Sequence, residues 1–595
     1  MVSIQLNIKN SKTNRLLISI LLMTLCFFYQ TKVFALHSER TEKEVQLAVD
    51  SIVNRMSLRE KIGQTMLMLP DKKLEAQTGN GSLKDFFTKY PVSGFFMGWK
   101  LFEGIERQNY SSYIVKATYN YQAASKFPLF FQQDYEAGVG LDNTTAFPSL
   151  MSLGAANSQE LSYMYGASVA KESASVGVNW VLHPVADLNM NPLNPITNVR
   201  SISDNPDLAI KLLGRQIAGL QSNGVAATIK HFPGDGVDFR DQHLTTTVNS
   251  LSFMQWKKNH GKVFQALIDS GVYCIMPGHI TLPAYQKVKH NGFLLPATLS
   301  KELMTDLLKK KMHFNGVIVS DAMVMGGFRG YYKNQLEGEI AGFKAGVDVL
   351  LWPSYAFLDS VEHKILTGEI PMERLDDAVR RVILLKVKLG LFDKNHTLIR
   401  PISVEESLKA GETAQLIAEK SLTLIRDNNH SIPFPTSVKK ILVVGVAPIS
   451  RKGGSDALDN LKQLKAVFEK KGFEVDFQHN ILYEVNGWEE DLTQKYDKII
   501  IAIDRRPHSP FGPLNFYDDE AQTAWGVNAM PKDKIIVVSF GSPYHMNEYF
   551  ERVNTCINAY SNTPAIQTAL IKVLIGEIPF VGISPVKLKN MSKIN

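Results

Sequence analysis

The chain has 595 residues, 45% of them hydrophobic and 21% charged, a balance that excludes both general disorder and a protein of many membrane spans. That length exceeds the usual size of one core and points to two or three domains. The formal charge of +7 makes no case for nucleic acid binding: Lys9, Lys12, Arg15 and Lys32 all precede the first acidic residue, Glu39, and without residues 1–35 the charge is +3.

Residues 1–35 read as a signal peptide, with a basic start, the apolar run LLISILLMTLCFFY from Leu16 to Tyr29, and VFA at Val33 to Ala35 as a small-residue cleavage site. The run is shorter than the roughly 20 residues of a spanning helix, so the expectation is an exported protein, periplasmic or extracellular, with no stable membrane insertion after cleavage. Cys26 lacks the small residue of a lipobox before it. Cys274 and Cys556 alone remain after cleavage, too few for a disulfide framework, and they read as two buried apolar thiols.

Eight short apolar runs follow, separated by stretches of helical spacing: GQTMLML from Gly63, SGFFMGW from Ser93, LFFQQDY from Leu129, NWVLHPVADL from Asn179, AATIKHFPG from Ala226, VYCIMPGHI from Val272, GVIVSDAM from Gly316 and AGVDVLLWP from Ala345. Between two of them, Trp256, Val263, Phe264, Leu267 and Ile268 share one helical face, with Ser252 as cap and Gly271 as stop. Strand and helix alternating over about 300 residues predict a (β/α)8 TIM-like barrel across residues 36–392, with a doubly wound open sheet as the alternative. Polarity favours the barrel, because the runs start apolar and end at Asp134, Asp187, Lys230 with His231, His279 and Asp321, and barrels build their sites at that rim.

Residues 393–403 read as a linker. From 404 to 595 the helical ESLKAGETAQLIAEKSL and the strand-like KKILVVGVAP, DKIIIAID and DKIIVVSFGS predict a smaller α/β sandwich domain. Its Gly445 stands outside any G-x-G-x-x-G pattern, which argues against a dinucleotide, and no cofactor is expected.

The segment KHFPGDGVDFRDQH, from Lys230 to His243, concentrates the chemistry. Gly234 and Gly236 suit a loop able to move. Beyond them Asp241 and His243 stand two apart, where a carboxylate can fix the tautomer of an imidazole and leave its other nitrogen for proton transfer. A surface ion pair and a metal site are the competing readings, although neither H-E-x-x-H nor a cysteine pair accompanies the histidine.

The ordered landmarks DYEAG, NWVLHPVADL, NVRSIS, KHFPGDG, DQH, MPGH and VIVSDAM resemble glycoside hydrolase family 3, in particular its β-N-acetylglucosaminidase branch in a two-domain form. The resemblance implies that Asp321 is the nucleophile of a retaining mechanism and that His243, oriented by Asp241, is the acid/base. It further implies that Asp134, Arg200, Lys230 and His231 hold the sugar. Met276 and His279 are expected to join them as substrate-binding residues. Met276, Trp99 and Trp352 could line the pocket, with barrel packing as the plainer reading of all three. Asp235 departs from the histidine expected in that branch and is more like the family's glucosidases. The implied activity is release of terminal N-acetylglucosamine from cell-wall or chitin-type oligosaccharides. A β-glucosidase or a phosphorylase is the alternative within the family, and a noncatalytic sugar-binding protein or a metal-dependent hydrolase the alternative outside it.

Overall fold

The computed structural model describes residues 41–70, 74, 82–448, 457–481, 488–507, 512 and 514–588. The signal-peptide expectation lies outside them.

Each of the eight apolar runs contains one strand: β1 (Met66–Met68), β2 (Gly94–Phe96), β3 (Phe130–Gln133), β4 (Trp180–Val181), β5 (Ala226–Phe232), β6 (Cys274–Pro277), β7 (Val317–Ile318) and β8 (Leu350–Leu351). They pair in parallel in chain order, and β1 pairs with β8. The remaining edges meet through a parallel bridge between Val319 and Val349 and through the Asp348 N–H donating to the Ile318 carbonyl at 2.8 Å. The sheet therefore curls into a (β/α)8 barrel. Alternation along each strand sorts its side chains into two cores. Leu67, Phe96, Phe130, Trp180, Cys274 and Val317 fill the barrel, while Met66, Phe95, Phe131, Val181, Ile275 and Ile318 face the helices. Strands buried on both faces read as continuous apolar runs.

The helix predicted between Ser252 and Gly271 forms in two pieces, Phe253–Lys258 and His260–Asp269. Ser252 caps the first piece with a capping box to Gln255, and Gly271 ends the second with φ +85°. The break falls at Asn259, where the chain turns the His260 ring inward so that its Nε2 donates to the Asp235 carbonyl at 2.9 Å.

The second sheet contains β9 (Thr423–Asp427), β10 (Lys440–Val446), β11 (Glu474–His479), β12 (Lys498–Ile503), β13 (Ile535–Ser539) and β14 (Thr555–Asn558), in the order β9-β14-β13-β12-β10-β11 with only β9 antiparallel. One face packs Val443, Ile500 and Ile557 with Leu461, Phe468 and Leu570 of two helices; the other packs Ile501 and Val537 with Val527 of a third, so the domain is an α/β sandwich. The helix Val404–Ser421 connects the two domains: Ala410, Ala414 and Ile417 belong to the barrel's core and Ala418 to the sandwich's. Cys274 and Cys556 are buried free thiols. Among the described residues no helix is long and apolar enough to cross a membrane.

Candidate active site

The chain leaving β3 carries Asp134 and Glu136 to the rim, where the Lys230 ammonium at the end of β5 binds both, Nζ to Asp134 Oδ1 at 2.7 Å and to Glu136 Oε1 at 2.6 Å. Arg200, on the turn Asn198–Arg200, clamps Glu136 with two prongs, Nε to Oε2 at 2.7 Å and Nη2 to Oε1 at 2.8 Å. Lys230 is almost wholly buried, and burial of that kind is tolerated only with paired opposite charge. Burial pushes the Glu136 carboxyl up, but Arg200 and Lys230 outweigh it and hold the group well below the usual carboxylate range. Asp134 is left half-exposed at the edge of this array, with lone pairs free for a ligand's hydroxyls.

His231, the next residue after Lys230, is set by Asp187, on the segment beyond β4 that the Val185–Lys230 bridge holds alongside β5. The Asp187 carboxylate accepts from the His231 backbone N–H at 3.0 Å and from ring Nδ1 at 2.7 Å. That leaves Nε2 facing Asp321 Oδ2 at 4.0 Å. Burial lowers the imidazole's proton affinity, but Asp187 and Asp321 outweigh it and hold His231 above its ordinary value. Asp321 follows β7 and takes the Ala322 N–H on Oδ1 at 2.7 Å. Burial raises its carboxyl, and the neighbouring His231 foremost, with the Ala322 N–H, brings it below the ordinary value. An ionised carboxylate with one oxygen held and the other aimed across the rim is chemically fit for nucleophilic attack.

His243 lies within electrostatic reach of this carboxylate. Its Nδ1 contacts Asp241 Oδ1 at 2.7 Å, and the same oxygen accepts the His243 backbone N–H at 2.8 Å. The Asp241 side chain is fully buried whereas the His243 ring is 31% exposed, so the acidic partner anchors the ring and the Nε2 edge remains available. The loop is tied to the segment after Asp321 by the Gly326 N–H donating to the His243 carbonyl at 2.8 Å.

Two expectations change at this point. The glycines of the loop serve close approach rather than movement: a Cβ on Gly236 (φ +94°) would lie 1.9 Å from the Leu188 carbonyl oxygen, and one on Gly234 (φ +117°) 2.1 Å from the His260 ring. Asp235 between them turns inward, 2% exposed, its Oδ1 accepting from Asn194 Nδ2 at 2.9 Å and from the Gly236 N–H at 2.6 Å. It is therefore part of the loop's interior and not of the mouth.

Met276, also 2% exposed, packs in the barrel interior with Cys274 and Val317, and its expected place against the substrate is not seen. His279 is likewise buried; its Nε2 donates to the Ala322 carbonyl at 3.1 Å and its Nδ1 lies 3.1 Å from the Thr298 hydroxyl. Both ring nitrogens are thus committed to the protein, and the ring braces the residue after Asp321. Trp352 packs edge-on between Phe96 and Trp99, and the Trp99 ring, 60% exposed, covers Trp352 from the surface rather than joining the barrel's core. Glu136 was absent from the expected site, and Asp187 was expected at the rim but given no role. Glu136 was legible in principle, since it follows Asp134 at period two and a buried Lys230 demands more than one half-exposed counter-charge.

A closed (β/α)8 barrel whose C-terminal rim gathers carboxylates, imidazoles and a buried lysine, followed by an α/β sandwich, is the frame of a barrel enzyme with a polar substrate. Residues 57–385 match the glycosyl hydrolase family 3 N terminal domain, and the chain belongs to that family of glycoside-processing enzymes. It is 30% identical over 489 residues to a β-N-acetylglucosaminidase/β-glucosidase of Cellulomonas fimi, covering 78% of this chain and 84% of that one. It is 24% identical to β-hexosaminidase A of Pseudoalteromonas piscicida, covering 94% and 100%. Among solved structures, a β-glucoside phosphorylase superposes with a TM-score of 0.80 at 28% identity, over 95% of this chain and 99% of that one. A family 3 β-N-acetylglucosaminidase from Paenibacillus sp. str. FPU-7 superposes with a TM-score of 0.75 at 25% identity, over 90% and 100%.

Proposed function

We propose that the protein is a retaining, exo-acting glycosidase that removes terminal β-linked N-acetylglucosamine from cell-wall or chitin-type oligosaccharides. Asp321 attacks the anomeric carbon while His243 Nε2 protonates the departing glycosidic oxygen. The glycosyl-enzyme ester at Asp321 is then opened by water, from which the now neutral His243 takes a proton. Asp241 stabilises the imidazolium of the first step and holds the ring's tautomer. The sugar's hydroxyls are bound by Asp134, the Arg200–Glu136–Lys230 array and His231.

The observation that carries this reading is the buried Asp241 beneath a partly exposed His243, on a loop tied to the chain beyond Asp321. The mixed activity named for the Cellulomonas relative keeps glucosides in view. Phosphorolysis is the second reading: a β-glucoside phosphorylase is among the similar structures, and an imidazole, unlike a carboxylate, does not repel an entering phosphate. Residues 1–35 support export to the compartment where such glycans lie.

The test is hydrolysis of p-nitrophenyl β-N-acetylglucosaminide and p-nitrophenyl β-glucoside by the purified mature chain, with and without inorganic phosphate. Preference for the acetamido sugar, unaffected by phosphate, supports the proposal. Preference for the glucoside contradicts the sugar assignment, and acceleration by phosphate with release of a sugar 1-phosphate replaces hydrolysis by phosphorolysis.

A further inference from the structure

Arg200 lies on a barrel loop, yet the turn that carries it is gripped by the second domain. Asn198, buried and with φ +37°, directs its Nδ2 to Ser542 Oγ at 3.2 Å. Ser542 follows β13, and its own N–H donates to the Arg505 carbonyl beyond β12 at 2.8 Å, so it is fixed to the sandwich's sheet. Val199 packs with Tyr544 and Tyr560 of the sandwich and with Met151 and Ala155 of the barrel. A few residues on, the Ser203 hydroxyl donates to the Pro585 carbonyl at 2.6 Å and Asp204 Oδ2 accepts the Lys587 N–H at 2.8 Å. Residues 198–204 are thus held between the loop after β13 and the returning segment 583–588.

We propose that Ser542 and Tyr544 are positioning residues for Arg200, so that seating of the second domain sets the geometry of the group that binds the sugar. The inference rests on the reading of Asp134, Glu136, Arg200 and Lys230 as that group. Within the barrel, Arg200 is held by Glu136 and by Nη1 donating to the Ile196 carbonyl at 3.1 Å, and its turn by Asn189 Nδ2 donating to the Asn198 carbonyl at 2.7 Å; among the described residues, the contacts of Asn198 and Val199 with Ser542 and Tyr544 are what join that turn to the sandwich. Freeing Asn198 from Ser542 leaves a buried amide whose Oδ1 already lacks a partner, and a turn bearing an unpaired buried amide shifts to find one. Tyr544 acts through its ring, since its buried Oη also lacks a partner.

The experiment is steady-state kinetics of the full chain on whichever p-nitrophenyl glycoside it turns over fastest, with Ser542→Ala, Tyr544→Ala, Tyr544→Phe, Arg200→Ala and the double variant Arg200→Ala/Ser542→Ala. Ser542→Ala and Tyr544→Ala should raise KM about threefold to tenfold, the worth of one hydrogen bond or a loosened contact, with kcat within about twofold. Tyr544→Phe should match the parent. In the Arg200→Ala background, Ser542→Ala should change KM by less than about 1.5-fold, because a residue acting through Arg200 has nothing left to position. Unchanged KM in Ser542→Ala, or an equal rise with and without Arg200, overturns the inference while leaving the sugar-binding reading in place. If Tyr544→Ala does not fold, the Ser542 pair decides alone. An unchanged KM in Arg200→Ala overturns the sugar-binding reading itself, and the inference with it.

Discussion

Asp235 offers a test in which electrostatics, burial and pH meet at one atom. Its carboxyl is buried, its Oδ2 has no hydrogen-bond partner, and Asp187 lies close by, accepting the Asp235 backbone N–H on Oδ1 at 2.7 Å. Burial and the Asp187 charge push Asp235 up from 3.8 to about 6. A group whose folded value is raised contributes stability that is fully present below its unfolded value and is lost as pH rises through the folded one. The loss therefore falls between about pH 4 and pH 6, and at about 1.4 kcal/mol per pH unit it reaches roughly 3 kcal/mol. Asp235→Asn keeps the acceptor for Asn194 and Gly236 and carries no charge. The variant should melt within about one degree of the parent at pH 4.5 and a few degrees above it at pH 8, as differences of that size give in a large chain. Differential scanning fluorimetry at both values is the assay. A variant no more stable than the parent at pH 8, or one whose gain is larger at pH 4.5, would refute the reasoning. Its sugar preference should be that of the parent, because the side chain does not reach the mouth.

Three further outcomes follow from the same geometry. Glu136→Gln leaves Arg200 and Lys230 facing each other without their shared anion; removing one member of such a buried set costs about 3 kcal/mol or more, which urea denaturation should report alongside a raised KM. His231→Gln removes the positive charge 4.0 Å from Asp321, so the acid limb of kcat/KM should move upward by about one pH unit; an unmoved limb means that His231 does not keep Asp321 ionised. Asp321→Ala should abolish turnover by at least about four orders of magnitude, as read by p-nitrophenol release.

The barrel was legible because a parallel sheet covered on both faces must write its strands as continuous apolar runs, and all eight are present from GQTMLML to AGVDVLLWP. The sandwich was legible only in its centre. ILVV, IIIAI and IIVVS announce β10, β12 and β13, whereas β9 (TLIRD) and β11 (EVDFQH) are edge strands whose partly exposed positions accept polar residues, and β14 (TCIN), though buried, is only four residues long. At the site, polar residues ending apolar runs marked the rim. Which way each side chain turns there is set by neighbours across the barrel: Met276 and His279 went inward, Glu136 went to Arg200, and Asp187 met His231 because β4 and β5 pair. The contact between Asn198 and Ser542 spans 344 positions, and nothing local in either segment foretells it.

The central claim, that His243 delivers the proton to the leaving group of a sugar carried by Asp321, is tested most directly by His243→Ala assayed on a series of aryl and alkyl glycosides of one sugar. Departure of nitrophenolate needs little protonation, so the account predicts a loss of kcat/KM of no more than about tenfold on the best leaving groups. The loss should grow by two to four further orders of magnitude, roughly the worth of general acid catalysis, as the leaving group becomes an alcohol or a second sugar. A loss equal across the series would contradict it and would move the acid to another residue.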